Sequence, residues 1–483
     1  MFQYLSQSFR SLFITGLAVY ALAAFCSEGY HHPDEHFQIL EFAGFKTGKS
    51  PAADLPWEFQ EKIRPALQPA MAFGIIKSLN VIGLENPFTL ALLMRLLGAV
   101  LTLLLYRRLS RMSAPEFSNE QSAKLLLLSA IFLWFMPYLA VRFSSENWAA
   151  LSFLAAVAVI PGSGSRQGAG PTATAGFLLG LCFFFRFQMA FAIAGVSAWL
   201  LFRQRVPAAH FAFFVLGGLG GAALGFAADY WFYGELVCTP WNYFQSNIIQ
   251  GKASEFGVSP WWFYVPEFVV RAIPPISVVL LGLAAIGLYR KPGHVFTWAL
   301  VPFILAHIVV GHKEMRFLFP MVFPVLFLAA VGWESLAARW QNSKITKVIL
   351  RLCLFVNAIA LIFVCTQPAQ ERLPYFRFLY RYTKEKPSRL YVEKENPYRL
   401  VGIRSHFYEA PNLNVQVVDH FEMLHDSVLH KGDLLLHRQP ALPPGPLSRR
   451  VERIYTYFPD WALQYNVNNW QDRSRIWSIY QVK

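Results

Sequence analysis

Apolar residues gather in long runs separated by short polar connections, at 11–27, 88–106, 124–141, 148–161, 172–185, 187–202, 210–228, 272–289, 295–310, 317–333 and 349–366. A helix needs about 20 apolar residues to cross a bilayer, and shorter runs are tolerated inside a bundle. The pattern therefore predicts about 11 crossings. A further run at 66–83 holds Pro69, Gly74, Lys77 and Asn80 and is expected to lie in the interface rather than span. Beyond residue 366 the pattern changes. Period-two alternation at Arg389–Val392, Val415–Val418 and Arg453–Tyr457, with Pro and Gly between, predicts a small α/β unit over 367–483. The expected fold class is a polytopic α-helical membrane protein. A transmembrane module over 1–366, with its first outer loop at 28–87, precedes a C-terminal α/β domain on the outer face. No internal repeat points to an inverted-repeat transporter.

Charge orients these runs. Only 15% of residues are charged and 55% are hydrophobic, whereas soluble domains carry about a quarter charged residues. The net charge of +14 is read as the Lys/Arg excess of cytoplasmic connections rather than as a nucleic-acid footprint. With a cytoplasmic N-terminus and 66–83 not crossing, those connections carry Arg107, Arg108, Arg111, Arg166, Arg203, Arg205, Arg290, Lys291, Arg339 and Lys344. If 66–83 did cross, the same clusters would all lie outside, against the positive-inside rule. The outer face then receives 28–87, 142–147, Arg186, 229–271, 311–316 and the tail. Arg10 before the first run superficially resembles a signal peptide, but no small-residue cleavage site stands out, so an uncleaved span is expected. Cys26, Cys182, Cys238, Cys353 and Cys365 show no C-x-x-C spacing and read as packing residues.

The candidate chemistry lies in those outer segments. Loop 28–87 opens His31-His32-Pro33-Asp34-Glu35-His36-Phe37-Gln38. Pro33 suits the first position of a helix capped by His32, and Asp34 and Glu35 fall in its first turn, where the helix dipole favours ionised acids. Neighbours on a helix diverge by about 100°, so one acid can serve as base while the other holds the loop; plain helix-start acids are the bland reading. His32-x-x-Glu35-His36 also matches the inverted zincin pattern. Pro33 confines it to a helix start and no third ligand is evident, so no metal is expected. Arg142, Arg186, Lys313 and Arg316 sit where spans meet the outer interface, with Arg95 about two turns inside its run. Snorkelling explains any one of them; together they suit a phosphate at the head-group boundary. Segment 229–271 is rich in Trp, Tyr and Phe, either an interfacial belt or a wall for a sugar or prenyl chain. Neither a glycine-rich phosphate cradle nor an Asp-x-Asp motif is present, so a nucleotide-sugar donor is not indicated.

His32-Pro33-Asp34-Glu35-x-Phe37-Gln38, paired with His312-Lys313-Glu314-x-Arg316-Phe317, resembles the GT-C mannosyltransferases of glycosyltransferase family 22, which extend dolichol-linked glycans and glycosylphosphatidylinositol anchors. Trp57-Glu58-Phe59, Ile63-Arg64-Pro65 (where serine is usual), Asp229 to Gly234, Trp241-Asn242-Tyr243-Phe244 with Asn247, Ser254-Glu255-Phe256-Gly257 and Pro260-Trp261 agree in order, over roughly 10–335. The resemblance implies a polyprenyl-phosphate β-mannose donor, a glycan or glycolipid acceptor, inversion at the anomeric carbon, and neither cofactor nor metal. An inverting transfer needs one base for the acceptor hydroxyl, and the phosphate leaving group needs cations rather than an acid. Asp34 is the expected base, with Glu35 as alternative. Lys313, Arg316, Arg142, Arg186 and Arg64 are expected to hold the donor phosphate, and His312, Glu314, Trp57, Trp241 and Asn242 to lie near sugar or acceptor. The lack of an N-x-Ser/Thr sequon favours a bacterial inner membrane with a periplasmic site over the endoplasmic reticulum lumen. Transfer of glucose, arabinose or an aminosugar is the runner-up. A transporter or flippase is the rival from another class, and it would place ionisable residues at the bilayer midplane.

Overall fold

The computed structural model describes residues 2–160, 168–400, 402–424, 428–442 and 445–483, with side chains from residue 10 onward except 423. Arg166, assigned above to a cytoplasmic connection, and residue 161 of the fourth run lie outside the described residues. All the apolar runs are helical: Phe2–Cys26 (α1), Pro87–Ser113, Glu120–Phe132 with Phe135–Ala140, Ser145–Val159, Ala169–Phe185, Phe187–Arg203, Ala208–Tyr233, Ile276–Arg290, Val295–Val309, Met315–Glu334 and Lys344–Thr366. Among the described residues, four are long and apolar enough to cross a membrane: those starting at Pro87, Ala208, Met315 and Lys344. Ile276–Arg290 and Val295–Val309 turn through 118° at their junction and together make a fifth such unit. The 66–83 run forms a helix, Leu67–Val81, whose Phe73 ring lies 5.0 Å from Trp231.

Two features show how the bundle satisfies its backbone. The third run breaks at Leu133–Trp134, and Asn357 of the last helix bridges the break. Its Oδ1 accepts the Trp134 N–H at 2.8 Å and its Nδ2 donates to the Phe132 carbonyl at 2.9 Å. In an apolar surrounding, backbone groups freed by a break must find such partners. Ala169–Phe185 and Ala208–Tyr233 cross at glycine. A Cβ on Gly176 would lie 1.9 Å from the Phe214 carbonyl oxygen, so only glycine permits this approach.

The tail folds as a helix, Leu373–Glu385, over a five-stranded mixed sheet of order β4-β1-β5-β7-β6. Its strands are β1 (Ser388–Glu393), β4 (Leu413–Val418), β5 (Leu434–His437), β6 (Val451–Thr456) and β7 (Ser478–Val482), with β2 (Arg399–Leu400) and β3 (Ile403–Arg404) pairing separately. The three alternating segments fall on β1, β4 and β6. β5 escaped the pattern because Leu434-Leu435-Leu436 is buried on both faces and shows no alternation. The tail rests on segment 28–87, where Lys49 Nζ donates to the Phe407 carbonyl at 2.9 Å and the Gln370 N–H donates to the Glu28 carbonyl at 3.0 Å. One cysteine departs from the packing role. Cys238, at the start of the helix Thr239–Phe244, is exposed, while Cys182 and Cys365 are buried.

A carboxylate and guanidinium cluster as the candidate active site

Local sequence sets the first wall of the site. His32 caps the short helix Pro33–Glu35 (α2), with Pro33 at its first position, and the His32 ring accepts the Asp34 N–H at 3.3 Å. A π-helical turn, His36–Leu40, follows directly and leads into Glu41–Thr47 (α3). Asp34 thereby faces the late motif, and Arg316 Nη2 donates to its Oδ2 at 2.8 Å across 282 positions of chain.

Arg316 is the hub. Its Nε donates to Glu314 Oε2, its Nη1 lies 3.4 Å from Glu146 Oε1, and Arg186 Nη1 donates to the same Glu146 oxygen at 2.8 Å. The Phe317 ring lies 4.9 Å from the Arg186 guanidinium and 5.4 Å from that of Arg316. Arg64 Nη2 lies 3.7 Å from Asp34 Oδ2 and donates to Glu58 Oε1 at 3.3 Å, and Gln38 Nε2 donates to the same Glu58 oxygen at 2.9 Å. Asp34, Arg64, Gln38, Glu146 and Arg186 line one cleft, with Glu35, Gln188 and Tyr243, and Arg316 closes on it through Asp34 and Glu146. Four carboxylates thus meet three guanidiniums, and each guanidinium already holds a carboxylate.

The two neighbouring acids differ in character. Burial would raise the Asp34 pKa, but the Arg316 charge, the His32 hydrogen bond and the Arg64 charge outweigh it and hold the carboxyl well below the usual range. Burial dominates at Glu35, with Arg142 opposing and Glu146 reinforcing it, and its pKa is pushed up to about 7. Glu35 is 9% exposed and accepts the His31 N–H at 3.2 Å, whereas the Asp34 side chain is 23% exposed and opens to the cleft. Paired acids driven apart in pKa mark sites where one stays ionised and the other holds a proton. A pH effect follows. The fold favours protonated Glu35, so this acid's contribution to stability is complete below pH 4.5 and is lost as pH rises through about 7. Glu35→Gln is expected to remove up to about 3 kcal/mol of that dependence. Thermal unfolding of both proteins from pH 4 to 8 checks it, with the variant's curve the flatter.

The profile of the Alg9-like mannosyltransferase family matches residues 11–412. The chain belongs to the Alg9-like mannosyltransferase family. It is 28% identical over 340 residues to GPI mannosyltransferase 3 of Yarrowia lipolytica, covering 67% of this chain and 62% of that one. It is 24% identical over 323 residues to human GPI alpha-1,2-mannosyltransferase 3, covering 64% and 55% respectively. The chain thus spans about three fifths of the length of the curated relatives it matches. The fold resembles that of ArnT from Cupriavidus metallidurans, a GT-C protein solved with undecaprenyl phosphate bound. The TM-score is 0.55 at 12% identity, over 98% of both chains. The family match also runs past residue 335 to 412, so the tail contributes more than its sequence alone indicated.

Within this Alg9-like frame, the predicted residues separate into those that converge and those that do not. Asp34, Glu35, Arg64, Arg186, Glu314 and Arg316 meet at the cleft or its rim. Arg142 turns away. Its guanidinium donates to the Gly29 carbonyl at 3.0 Å and the Ser27 hydroxyl at 2.8 Å, tying the chain after α1, while Arg95 donates to the Ala24 carbonyl at 2.7 Å. Lys313 donates to the carbonyls of Ser259, at 3.1 Å, and Val310, bracing its own turn. His312 lies 3.0 Å from both the Gly257 carbonyl and Glu314, which it orients. Asn242 donates to the Lys62 carbonyl at 3.3 Å, and the Tyr233 hydroxyl to the Arg64 carbonyl at 2.8 Å. Asp229 is fully buried and accepts the Ala66 N–H at 2.6 Å. The aromatic segment therefore holds the strand of chain that presents Arg64. Trp57 stacks on Phe256, 6.2 Å between centroids, with Lys252 over its ring, and Trp241 is 55% exposed. Neither faces the cleft. His36 Nε2 lies 2.7 Å from Glu41 and His32 Nε2 3.6 Å from Glu314, so the two zincin-spaced histidines point to different partners. The main omission from the predicted site was Glu146. An acid inside the arginine motif Arg142 to Asn147 was the available signal.

Proposed function

We propose that this chain is an inverting mannosyltransferase that takes mannose from a polyprenyl-phosphate donor and passes it to a hydroxyl of a glycan or glycolipid. In this reading about 11 crossings carry the cleft at the non-cytoplasmic face. The Asp34–Arg316 contact at 2.8 Å carries the proposal. It puts a carboxylate that stays ionised beside a guanidinium able to meet a departing phosphate. The family match supports it, as do the mannosyltransferase names of the relatives. The acceptor oxygen forms its bond to the anomeric carbon and its proton passes to Asp34. The bond to the phosphate oxygen breaks, and that oxygen keeps the electron pair in reach of Arg316, Arg186 and Arg64.

Because every guanidinium in the cleft is paired, an incoming phosphate must displace a carboxylate. Asp34, whose side chain is 23% exposed and lines the cleft, yields more readily than Glu146, which is 4% exposed. Freed from Arg316, Asp34 becomes a stronger base as the donor arrives. Membranes containing the protein, given radiolabelled polyprenyl-phosphate mannose, are expected to form a labelled glycan or glycolipid. Transfer from a nucleotide sugar alone would sink the donor assignment.

A further inference from the structure

His36, one residue beyond the acidic pair, belongs to a buried network that the reaction above does not use. His36 Nε2 lies 2.7 Å from both Glu41 Oε1 and Ser405 Oγ. Glu41 Oε1 also accepts the backbone N–H groups of His406, at 2.9 Å, and Phe407, at 3.0 Å, while Glu41 Oε2 accepts the Ser50 hydroxyl at 2.6 Å. His406 Nε2 reaches Asp54 at 2.7 Å, and Tyr408 stacks on the His36 ring at 5.5 Å. Glu41 is fully buried and His36 is 1% exposed. This is not a hydrolytic triad, because Ser405 and Glu41 meet the same ring nitrogen and Nδ1 faces no partner.

The π-turn explains the arrangement. In an α-helix, residues five apart lie about 140° apart around the axis. The turn over His36–Leu40 closes instead with the Glu41 N–H on the His36 carbonyl, which brings both side chains to one face. Such turns are rare and frequent at functional sites, and this one is tied down by contacts from outside its own helix. Here the contacts come from the tail. If the turn relaxed to α-helical winding, α2 would rotate by about 100° relative to α3, carrying Asp34 away from Arg316 and Arg64.

We infer that segment 403–409, acting through Glu41 and His36, is a positioning element that holds the π-turn and so aims Asp34 into the cleft. The inference rests on reading Asp34 as the base. It assigns the tail a part in catalysis without contact with either substrate, and makes Glu41, His36 and Ser405 positioning residues.

The test uses the full-length protein in lipid nanodiscs with Glu41→Gln, Ser405→Ala and Ser405→Thr. Hydrogen exchange over residues 33–42 is expected to accelerate about 10-fold or more in Glu41→Gln and Ser405→Ala, with helix peptides elsewhere unchanged. Turnover should fall about 10- to 100-fold while the Kd for polyprenyl phosphate stays within about threefold, the signature of misaimed chemistry rather than lost fold. Ser405→Thr, which keeps the hydroxyl, should restore both. Unchanged exchange, or faster exchange with unaltered kcat, overturns the inference, as does a loss of polyprenyl-phosphate affinity in proportion to kcat. If the unmodified protein transfers no sugar, the donor reading fails by itself, because the exchange measurement reads the positioning element directly.

Discussion

Asp34→Asn is expected to lower kcat about 10²- to 10⁴-fold, the range for loss of a general base, while binding polyprenyl phosphate more tightly than the unmodified protein. The second half distinguishes this site from one in which Asp34 merely shapes the cleft. Arg316 Nη2 holds Asp34 at 2.8 Å and Arg64 lies 3.7 Å away, so under the proposed reading donor phosphate and Asp34 compete for the same guanidiniums. Neutralising Asp34 removes the competitor. A gain of about 2- to 5-fold in affinity is expected, as for a partly exposed ion pair. Titration of both proteins with polyprenyl phosphate, beside turnover with the sugar-bearing donor, supplies the two readings. Weaker binding in Asp34→Asn would mean that Asp34 supports the phosphate rather than yielding to it. Glu35→Gln, the control, should retain most turnover. If it is the inactive variant instead, the base is Glu35.

Arg316→Ala is expected to be more damaging still, because it removes the countercharge of three acids at once. Asp34, Glu146 and Glu314 would face one another with Arg186, Arg64 and the His32 and His312 rings left beside them. Removing one partner of a buried ion pair costs about 3–5 kcal/mol, since the remaining charge is left desolvated. Both thermal stability and transfer should therefore fall. Arg316→Lys should rescue neither fully, because an ammonium cannot reach three carboxylates in the planar fork geometry that Arg316 uses. Adding Glu146→Gln to Arg316→Ala should recover part of the lost stability without recovering transfer. The double-mutant cycle thus separates the structural role of the cluster from its role in donor binding. A double variant no more stable than Arg316→Ala would show that Glu146 is compensated by Arg186 alone.

Several parts of this protein follow from local physics and were legible in the chain. Apolar runs became helices because hydrocarbon leaves backbone groups no other partners. Pro33 after His32 started a helix where Asp34 and Glu35 fall in the first turn, since capping acts within about one turn of its own residues. The pairing of the first-loop and late motifs identified the acid and one of the cations that meet. What the sequence could not supply was direction. Long basic side chains reach several ångströms from their Cα, and a position at the outer face does not say where the head lands. Arg142 and Lys313 turned to backbone carbonyls, whereas Arg64, from a less prominent motif, reached the cleft. Glu146 became part of the hub only because the fold sets Arg186 and Arg316 on either side of it. The aim of Asp34 depends on one extra residue in the winding after it, and its partner, segment 403–409, arrives from more than 360 positions away. Such through-space hydrogen bonds decide a helix's angular phase and leave no period in the chain that makes them.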